Sequence, residues 1–539
     1  MNAAALFQAE THLFTIARPQ PDALKIIYGF PNTYSVGITS LGYQVVWAML
    51  AQDPGVDVRR LFTDVRESLP RNPDLLGFSL SWELDYGNIL TLLEQLKLPL
   101  WARERQGEHP LVFGGGPVLT ANPEPYADFF DVILLGDGED LLQNFLEAYR
   151  SVRGTGRQTQ LDSLAQVPGL YVPSLYQVSY QENTGAIARI EAIKPTIPDH
   201  IIKQTYRGNT LATSTVVTPH AAWENIYMVE VVRSCPEMCR FCLASYLTLP
   251  FRSSSLESLI PAIARGLTVT HRIGLLGASV SQHPEFEALL DYLGQPQFAE
   301  MRLSLASVRT NTVTPKLTTL LTQRGTKSLT IAIETGSERL RQVINKKLDT
   351  QEIFQAAANA RSGGLKGLKF YGMVGIPGET DGDVQATVDL FRALKKQVPG
   401  LRLTLGCSTF VPKAHTPFQW LGVRAIAEKR LKFLKKELGR LGIDFRPEPY
   451  GDSLIQALLS RGDRRLGPLL ERVRCYGQSL GSYRRTFKEF KGKLPTMEHY
   501  VHSDWPTGGQ LPWDHLQGPL SNATLTKHLE LAQENTHDI

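Results

Sequence analysis

The chain has few cysteines, and the first 234 of its 539 residues contain none. With five in total, three of them within one octet, a disulfide framework is not expected, so the sequence favours the reducing cytoplasm. No run approaches the roughly 18 apolar residues that a membrane span needs. Residues 1–17 lack the basic start and apolar stretch of a signal peptide. The net charge of +4 neither requires nor excludes a nucleic-acid partner.

The composition, 42% hydrophobic and 20% charged, is that of a globular protein too long for one ordinary core. Alternation of buried-strand runs with helical spacing in the first part of the chain predicts a parallel sheet covered by helices, that is, a doubly wound α/β domain. A turn between two alternating runs then predicts a β-rich connector. We expect five regions: an extension at 1–23, the doubly wound domain at 24–150, the connector at 151–220, a barrel at 221–424, and a helical, basic region at 425–539 that ends in a loose tail.

Three of the cysteines, Cys235, Cys239 and Cys242, have the spacing C-x3-C-x2-C. Three thiolates at this spacing can bind three irons of a [4Fe–4S] cluster and leave the fourth iron open for a chelating substrate. The other cysteines, Cys407 and Cys475, lie far along the chain. The alternative is a zinc site or three unrelated thiols, but zinc sites usually show paired cysteine or histidine units. We therefore predict that these three cysteines are the catalytic metal ligands.

The cysteine octet resembles the hallmark loop of the radical S-adenosylmethionine (SAM) superfamily, including the aromatic Phe241 before the last cysteine. The resemblance implies a partial β/α barrel, open on one side, and the spacing of the strands supports six units. It also implies reductive cleavage of SAM to a 5′-deoxyadenosyl radical, with an electron donor such as ferredoxin or flavodoxin. The six predicted strands are Tyr227–Arg233, Arg272–Gly277, Arg302–Ala306, Ser328–Glu334, Leu368–Val374 and Arg402–Ser408.

Residues at the ends of these strands are the predicted SAM contacts. The resemblance implies that the loop with Gly277 and Ala278 binds the methionine amino group, although it departs from the family's usual Gly-Gly-Glu. Arg309 is assigned to the methionine carboxylate, because arginine binds carboxylates with two parallel bonds. Ser307 is assigned to the same region or to the ribose. The alternative for both is an exposed strand end.

Glu334 closes an apolar strand, where an ionised carboxylate needs partners. We expect the SAM ribose or amino group to be the partner of Glu334. The alternative is an ion pair between Glu334 and Arg339 or Arg341. The next strand leads into Gly-x-Pro-Gly-Glu-Thr, which resembles the adenine-side turn of the superfamily. The contacts predicted there are Gly375, Pro377 and Gly378.

In the doubly wound domain, Ser79, Gly114 and Gly115 end two strands and resemble the cobalamin-binding domain that precedes many radical SAM barrels. The family's Asp-x-His-x-x-Gly loop is absent: the turn after the first strand, residues 31–37, has no histidine. Two readings stay open. The domain binds cobalamin without a protein ligand to cobalt, or it is a flavodoxin-like scaffold kept for structure or substrate.

The whole pattern also looks like a little-characterised group of B12-domain radical SAM proteins. The segments that carry this resemblance are 122–125 with 136–139, 337–341 with 344–346, 416–420 and 461–465. The first functional hypothesis is a cytoplasmic radical SAM enzyme, with cobalamin-dependent methyl transfer to an unknown substrate as its reaction. The alternatives are an RNA-modifying radical SAM enzyme without cobalamin, which would use the basic C-terminal helices, and a non-catalytic iron–sulfur regulator. We expect no membrane partner, and we favour a solvated face over nucleic-acid binding for the basic helices.

Overall fold

The computed structural model describes residues 3–182, 185–209, 211–306 and 308–537. Its first sheet has the strand order β3-β2-β4-β5-β6-β7; the first five strands are parallel, and β7 runs antiparallel to β6. This is a doubly wound arrangement, as predicted. The strands up to this point are β1 (Thr11–His12), β2 (Leu24–Gly29), β3 (Val56–Leu61), β4 (Leu75–Ser79), β5 (Leu111–Gly115), β6 (Val132–Leu134) and β7 (Leu170–Tyr171).

Helices cover this sheet, whose strands read as nearly continuous apolar runs because parallel strands are buried on both faces. The sixth strand, β7, lies within the residues predicted to form the connector, so the first sheet extends beyond residue 150. The helices are α1 (Ala3–Gln8), α2 (Tyr34–Gly37), α3 (Leu41–Gln52), α4 (Tyr86–Gln95), α5 (Pro117–Ala121), α6 (Gly138–Val152) and α7 (Arg157–Leu164).

The predicted hairpin is present as an antiparallel pair of strands, β8 and β9. Two short strands tie the connector to distant parts of the chain: β11 pairs with β1, and β10 pairs with a strand near the C-terminus. The connector strands are β8 (Tyr176–Tyr180), β9 (Ile187–Ala192), β10 (Ile201–Ile202) and β11 (Val216–Val217).

The barrel is an open arc of parallel strands. The arc has two sets of paired strands, one with the order β12-β15-β16 and the other with the order β17-β18-β19-β20. A parallel bridge between Val308 and Ile331 joins the two sets. Its strands, with the short pair β13–β14, are β12 (Ile226–Glu230), β13 (Val232–Arg233), β14 (Arg252–Ser253), β15 (Arg272–Leu276), β16 (Arg302–Leu305), β17 (Ser328–Glu334), β18 (Gly367–Val374), β19 (Arg402–Thr409) and β20 (Asp444–Pro447).

The six predicted barrel strands correspond to β12, with β13 directly after it, and to β15 through β19. β20 adds a seventh strand from a region predicted to be helical. Capping fixes the start of several of the intervening helices: in α14, for example, Thr380 and Asp383 form a reciprocal capping box. The barrel helices are α8 (Leu243–Tyr246), α9 (Leu256–Leu267), α10 (Phe286–Gly294), α11 (Pro315–Gln323), α12 (Glu338–Val343), α13 (Thr350–Ser362) and α14 (Asp381–Gln397).

The C-terminal region is helical, as predicted, but it does not end in a loose tail, because residues 522–537 form a helix. Buried Leu529 of this helix packs in the same core as the rest of the region. The remaining elements are α15 (Ala427–Arg440), α16 (Tyr450–Arg461), α17 (Gly467–Val473), α18 (Leu480–Glu489), α19 (Met497–Val501), β21 (Leu516–Gln517) and α20 (Asn522–His537).

Two hydrophobic cores organise the molecule. One fills the barrel. The other joins the doubly wound domain to helices α16 to α20, so the C-terminal region completes the core of the first domain. Polar contacts also connect the first domain to the C-terminal region. The Asn122 amide donates to the carbonyls of Ser460 (3.1 Å) and Gly462 (2.9 Å), and Arg464 pairs with Glu124 at 3.1 Å. No helix in the described parts of the chain is both long and apolar enough to span a bilayer.

Candidate active site

The cysteine loop follows β13 at the carboxyl end of the first barrel strand. Cys235, Cys239 and Cys242 all line one cavity of about 340 Å³. Two residues of the loop, Ser234 and Met238, adopt left-handed backbone conformations with φ of 71° and 57°, which lets the short loop curl around the cavity. A set of three thiols lining one cavity is the ligand chemistry that an iron–sulfur cluster requires.

Among the residues that the structure describes, no three His, Cys, Asp or Glu side chains are grouped to hold one ion. Thiolates of a [4Fe–4S] cluster bind different irons, so the three cysteines need only surround a common space. The arrangement therefore fits a cluster.

Burial opposes ionisation of two of the cysteine ligands, Cys239 and Cys242. Burial raises the pKa of Cys239 to about 12, against the opposing charge of Lys346, and burial also raises the pKa of Cys242. Since iron binds the thiolate, loading of the site releases protons, and this makes metal affinity depend on pH.

The segment after α12 holds the cysteine loop in place. The Arg240 amide donates to the Ile344 carbonyl at 2.9 Å, and its guanidinium donates to the carbonyls of Gln342 (2.9 Å) and Val343 (2.7 Å) at the end of the helix. The Asn345 amide donates to the Met238 carbonyl at 2.8 Å. These bonds satisfy helix-end carbonyls and loop carbonyls together, so the loop is fixed from one side.

Arg309, the predicted carboxylate contact, lines the cavity. Its guanidinium donates to Asn311 Oδ1 at 3.0 Å and to the Lys347 carbonyl, and it pairs with the carboxylate of Glu237, which lies inside the cysteine loop. Sequence reasoning missed Glu237. The acidic residue between two cysteine ligands was the available signal.

Glu334 is buried, lines the cavity and has a left-handed φ of 66° at the end of β17. Its partner is Lys346, at 2.9 Å, and not Arg339 or Arg341, the two alternatives considered from the sequence. Burial lowers the pKa of Lys346, but the charges of Glu334 and Cys239 outweigh burial, so the net shift is upward. No role for Lys346 is predicted from the sequence. The same is true of Tyr371, a lining residue that is 60% exposed.

The remaining predicted contacts divide between locations. Phe241 and Ala278 line the cysteine cavity, whereas Gly277 lines a different one. Gly375, Pro377 and Gly378 lie in the turn after β18 and do not line the cysteine cavity. Ser307 falls outside the described residues.

The turn after β18 is rigid. Gly375 and Gly378 both have a φ of 75°, which favours glycine. The Glu379 carboxylate accepts from the Gly375 amide at 2.6 Å and from Arg430 of α15 at 2.8 Å. Burial raises the pKa of Glu379 to about 7, with both of these donors opposing the shift.

A second cavity of about 430 Å³ lies between the doubly wound domain and the barrel. The carboxyl ends of β4 and β5 reach it through Ser79 and Gly115, whereas Gly114 faces the core beside Leu119 and Phe130. Apolar side chains of α3 and α6 form part of its wall, and no histidine is among its described lining residues. Since Gly277 lines this cavity and Ala278 lines the other, the two cavities share a wall.

Comparison with known proteins agrees with this architecture. Residues 229–391 match the radical SAM superfamily, and residues 57–173 match the family described as radical SAM proteins, N-terminal. An uncharacterized protein of Methanocaldococcus jannaschii is 27% identical over 446 residues, which is 82% of this chain and 89% of that protein. An uncharacterized methyltransferase of Pyrococcus horikoshii is 22% identical over 401 residues, 69% of this chain and 78% of the relative.

Among solved structures, the radical SAM methyltransferase TsrM of Kitasatospora setae, with cobalamin and a [4Fe–4S] cluster bound, aligns with a TM-score of 0.49 at 14% identity, covering 71% of this chain and 75% of TsrM. The chain carries a radical SAM domain and is a radical SAM enzyme. A [4Fe–4S] cluster and SAM are the cofactors of that superfamily. The predicted family and the mixed α/β fold class are thus confirmed.

Proposed function

We propose that this enzyme cleaves SAM reductively and uses cobalamin, held between the doubly wound domain and the barrel, to transfer a methyl group to its substrate. When bound, a reduced cluster and SAM supply one-electron cleavage of the sulfonium C–S bond to methionine and a 5′-deoxyadenosyl radical, the electron coming from an external donor. The observation that carries the proposal is that one cavity collects Cys235, Cys239, Cys242, Arg309 and Glu334.

The charges in this cavity match the amino-acid end of SAM. Arg309 offers a guanidinium to a carboxylate, and Glu334 offers a carboxylate to an ammonium or a ribose hydroxyl. Each of them is paired with a residue of opposite charge, Glu237 or Lys346. On binding, the SAM carboxylate would replace Glu237 at Arg309, and the SAM ammonium would replace Lys346 at Glu334. Glu237 would keep Lys347, whose ammonium lies 3.8 Å away, as a partner. Phe241 adds an apolar wall that excludes water beside the cysteines.

The cobalamin step rests on the second cavity and on the methyltransferase name of one relative. The cavity lies at the carboxyl ends of parallel strands, where doubly wound domains bind ligands. Glycines on its edge leave the backbone bare, and Ser79 and Ser81 add hydroxyls. Such a wall fits a large, mostly apolar ring with polar edges. The Pyrococcus relative is named a methyltransferase, which favours methyl transfer.

An RNA-modifying enzyme without cobalamin is the second candidate. Its support would be the basic residues of α15, but three of them already pair with carboxylates of the protein. Arg430 is buried and pairs with Glu379 at 2.8 Å, Lys432 pairs with Glu428 at 2.7 Å, and Arg440 pairs with Glu437 at 2.8 Å. The helix is therefore less basic than its sequence suggests, which favours the first candidate.

Two measurements test the proposal. Anaerobically reconstituted protein given dithionite and SAM should release 5′-deoxyadenosine, and Cys239→Ala should abolish the release; no release with any reductant would refute SAM cleavage. Protein from cells grown with cobalamin should carry corrin absorbance. Gly42 lines the second cavity and has open space at its Cβ position, so Gly42→Trp should reduce the corrin content.

The matched control for the corrin measurement is Gly439→Trp, at an exposed position of α15 that is also open around its Cβ. Wild-type protein without corrin would favour the scaffold reading of the first domain. Corrin that is retained equally by both variants would mean that it binds elsewhere.

A further inference from the structure

We infer that Lys346 sets the reduction potential of the cluster by placing a mostly buried positive charge in the cavity that the cysteine ligands line. The inference rests on the proposed binding of a cluster by Cys235, Cys239 and Cys242. It concerns a residue outside the cysteine motif, and it is independent of cobalamin and of the substrate.

Three observations fix where the ammonium lies. Lys346 lines the same cavity as the three cysteines, and its side chain is 15% exposed. Its Nζ donates to Glu334 Oε1 at 2.9 Å. Its backbone amide donates to the Arg341 carbonyl at 2.7 Å, and the preceding residue, Asn345, is bonded to the Met238 carbonyl of the cysteine loop. The lysine is thus held at both its backbone and its charged end.

Lys346 is also the main positive charge acting on a cysteine ligand. Of the charged groups around Cys239, Lys346 exerts the largest influence and Glu334 a smaller one of opposite sign. At Cys239, therefore, the positive end of this ion pair outweighs the negative end. Lys346 also interacts with Cys242, because the charge of Cys242 is one of the causes that raise the pKa of Lys346.

A cluster gains negative charge when it is reduced, and its potential follows the local charge and the exposure to solvent. A buried ammonium is screened weakly and favours the reduced form. The neighbouring Lys347 is different: its side chain is 60% exposed, and its ammonium lies 3.8 Å from the Glu237 carboxylate. Water and salt screen such a charge, so it should have little effect on the potential.

The test is a redox titration of the reconstituted cluster, followed by electron paramagnetic resonance without SAM. Lys346→Met should lower the ratio of reduced to oxidised cluster at the wild-type midpoint by tenfold or more, which is about 59 mV or more for one electron. In Lys346→Arg and Lys347→Met, the ratio of reduced to oxidised cluster at that potential should stay within twofold of the wild-type ratio. Glu334→Gln, which keeps the lysine, should shift the potential upward.

The outcomes separate this inference from the proposed function. Wild-type protein that binds no [4Fe–4S] cluster would overturn both. If wild type has a normal cluster and the midpoint potential of Lys346→Met is unchanged, only the inference is overturned. The same holds if the midpoint potential of Lys346→Arg falls as far as that of Lys346→Met. If Lys346→Met does not retain iron, Glu334→Gln still decides: a midpoint that is unchanged or lower contradicts the role of this ion pair.

Discussion

SAM affinity is expected to depend strongly on Arg309. Its guanidinium is only 11% exposed and is fixed by three contacts, so its direction is set before SAM arrives. A hydrogen bond to a charged group contributes about 1.5–3 kcal/mol, and about 1.4 kcal/mol corresponds to tenfold in affinity. Arg309→Gln should therefore raise the Kd for SAM by roughly 10- to 100-fold.

The opposite change is expected at Glu237. This carboxylate pairs with Arg309 in the SAM-free protein, so it competes with the carboxylate of SAM for the same guanidinium. Glu237→Gln keeps the shape of the side chain and removes the competing charge. Because partly buried pairs of this kind contribute on the order of 1 kcal/mol, the Kd for SAM should fall by roughly fivefold.

Both variants can be measured by calorimetric titration of SAM into anaerobically reconstituted protein whose iron content matches wild type. Arg302→Gln is the control, since Arg302 lies exposed at the start of β16, the strand that leads to Arg309. A Kd within twofold of wild type for Arg309→Gln would refute the assignment of the carboxylate contact. If Glu237→Gln weakened SAM binding, the carboxylate would be supporting Arg309 and not competing for it.

Three further predictions concern the cluster and the fold. Cys239→Ala should lose most of the cluster absorbance and iron after reconstitution, and iron equal to wild type would contradict the ligand assignment. The pKa of Glu379 is raised from 4.5 to about 7 in the folded state, so the folded state binds this proton more tightly than the unfolded state does. The free energy of unfolding should therefore fall, by at most about 3 kcal/mol, as pH rises from 4.5 to 7. Denaturant unfolding of Glu379→Gln should lack this fall, whereas equal pH profiles would place the pKa near its ordinary value. Deleting residues 522–539 should lower iron retention. The Tyr246 hydroxyl donates to the Met238 carbonyl of the cysteine loop at 3.1 Å and also contacts His528 of α20 at 3.0 Å. Unchanged iron retention would mean that α20 does not support the loop.

Regular elements could be predicted from the sequence because their signals are local. Parallel strands buried on both faces read as short apolar runs, so the first sheet and the six barrel strands were found from their spacing. β20 was missed because its burial is partial and its sequence, Asp-Phe-Arg-Pro, carries no apolar run. The sequence of α20 predicts a loose tail because its few buried residues, such as Leu525 and Leu529, are separated by many polar ones.

Contacts between distant segments could not be predicted in the same way. The cysteine motif identified the ligands, but the partner of Glu334 depends on how the loop after α12 folds back onto β17. Lys346 is 12 residues away and follows a helix, whereas Arg339 and Arg341 are nearer in sequence. Likewise, nothing local to Asn122 indicates that its amide meets the carbonyls of Ser460 and Gly462. Such pairings are set by tertiary packing, which a single sequence does not display.

Arg233 connects the first domain to the cysteine loop, and it also lines the second cavity. Arg233 directly precedes Ser234 and Cys235, and its guanidinium pairs with Glu139 of the first domain at 2.7 Å and with Glu230 of β12 at 2.8 Å. Removing the first domain would leave this partly buried arginine without Glu139 and would expose the wall at Gly277. A shift of the first domain would therefore pull on the backbone that carries the first cysteine ligand. We therefore expect the doubly wound domain to help position the cysteine loop whether or not it binds cobalamin.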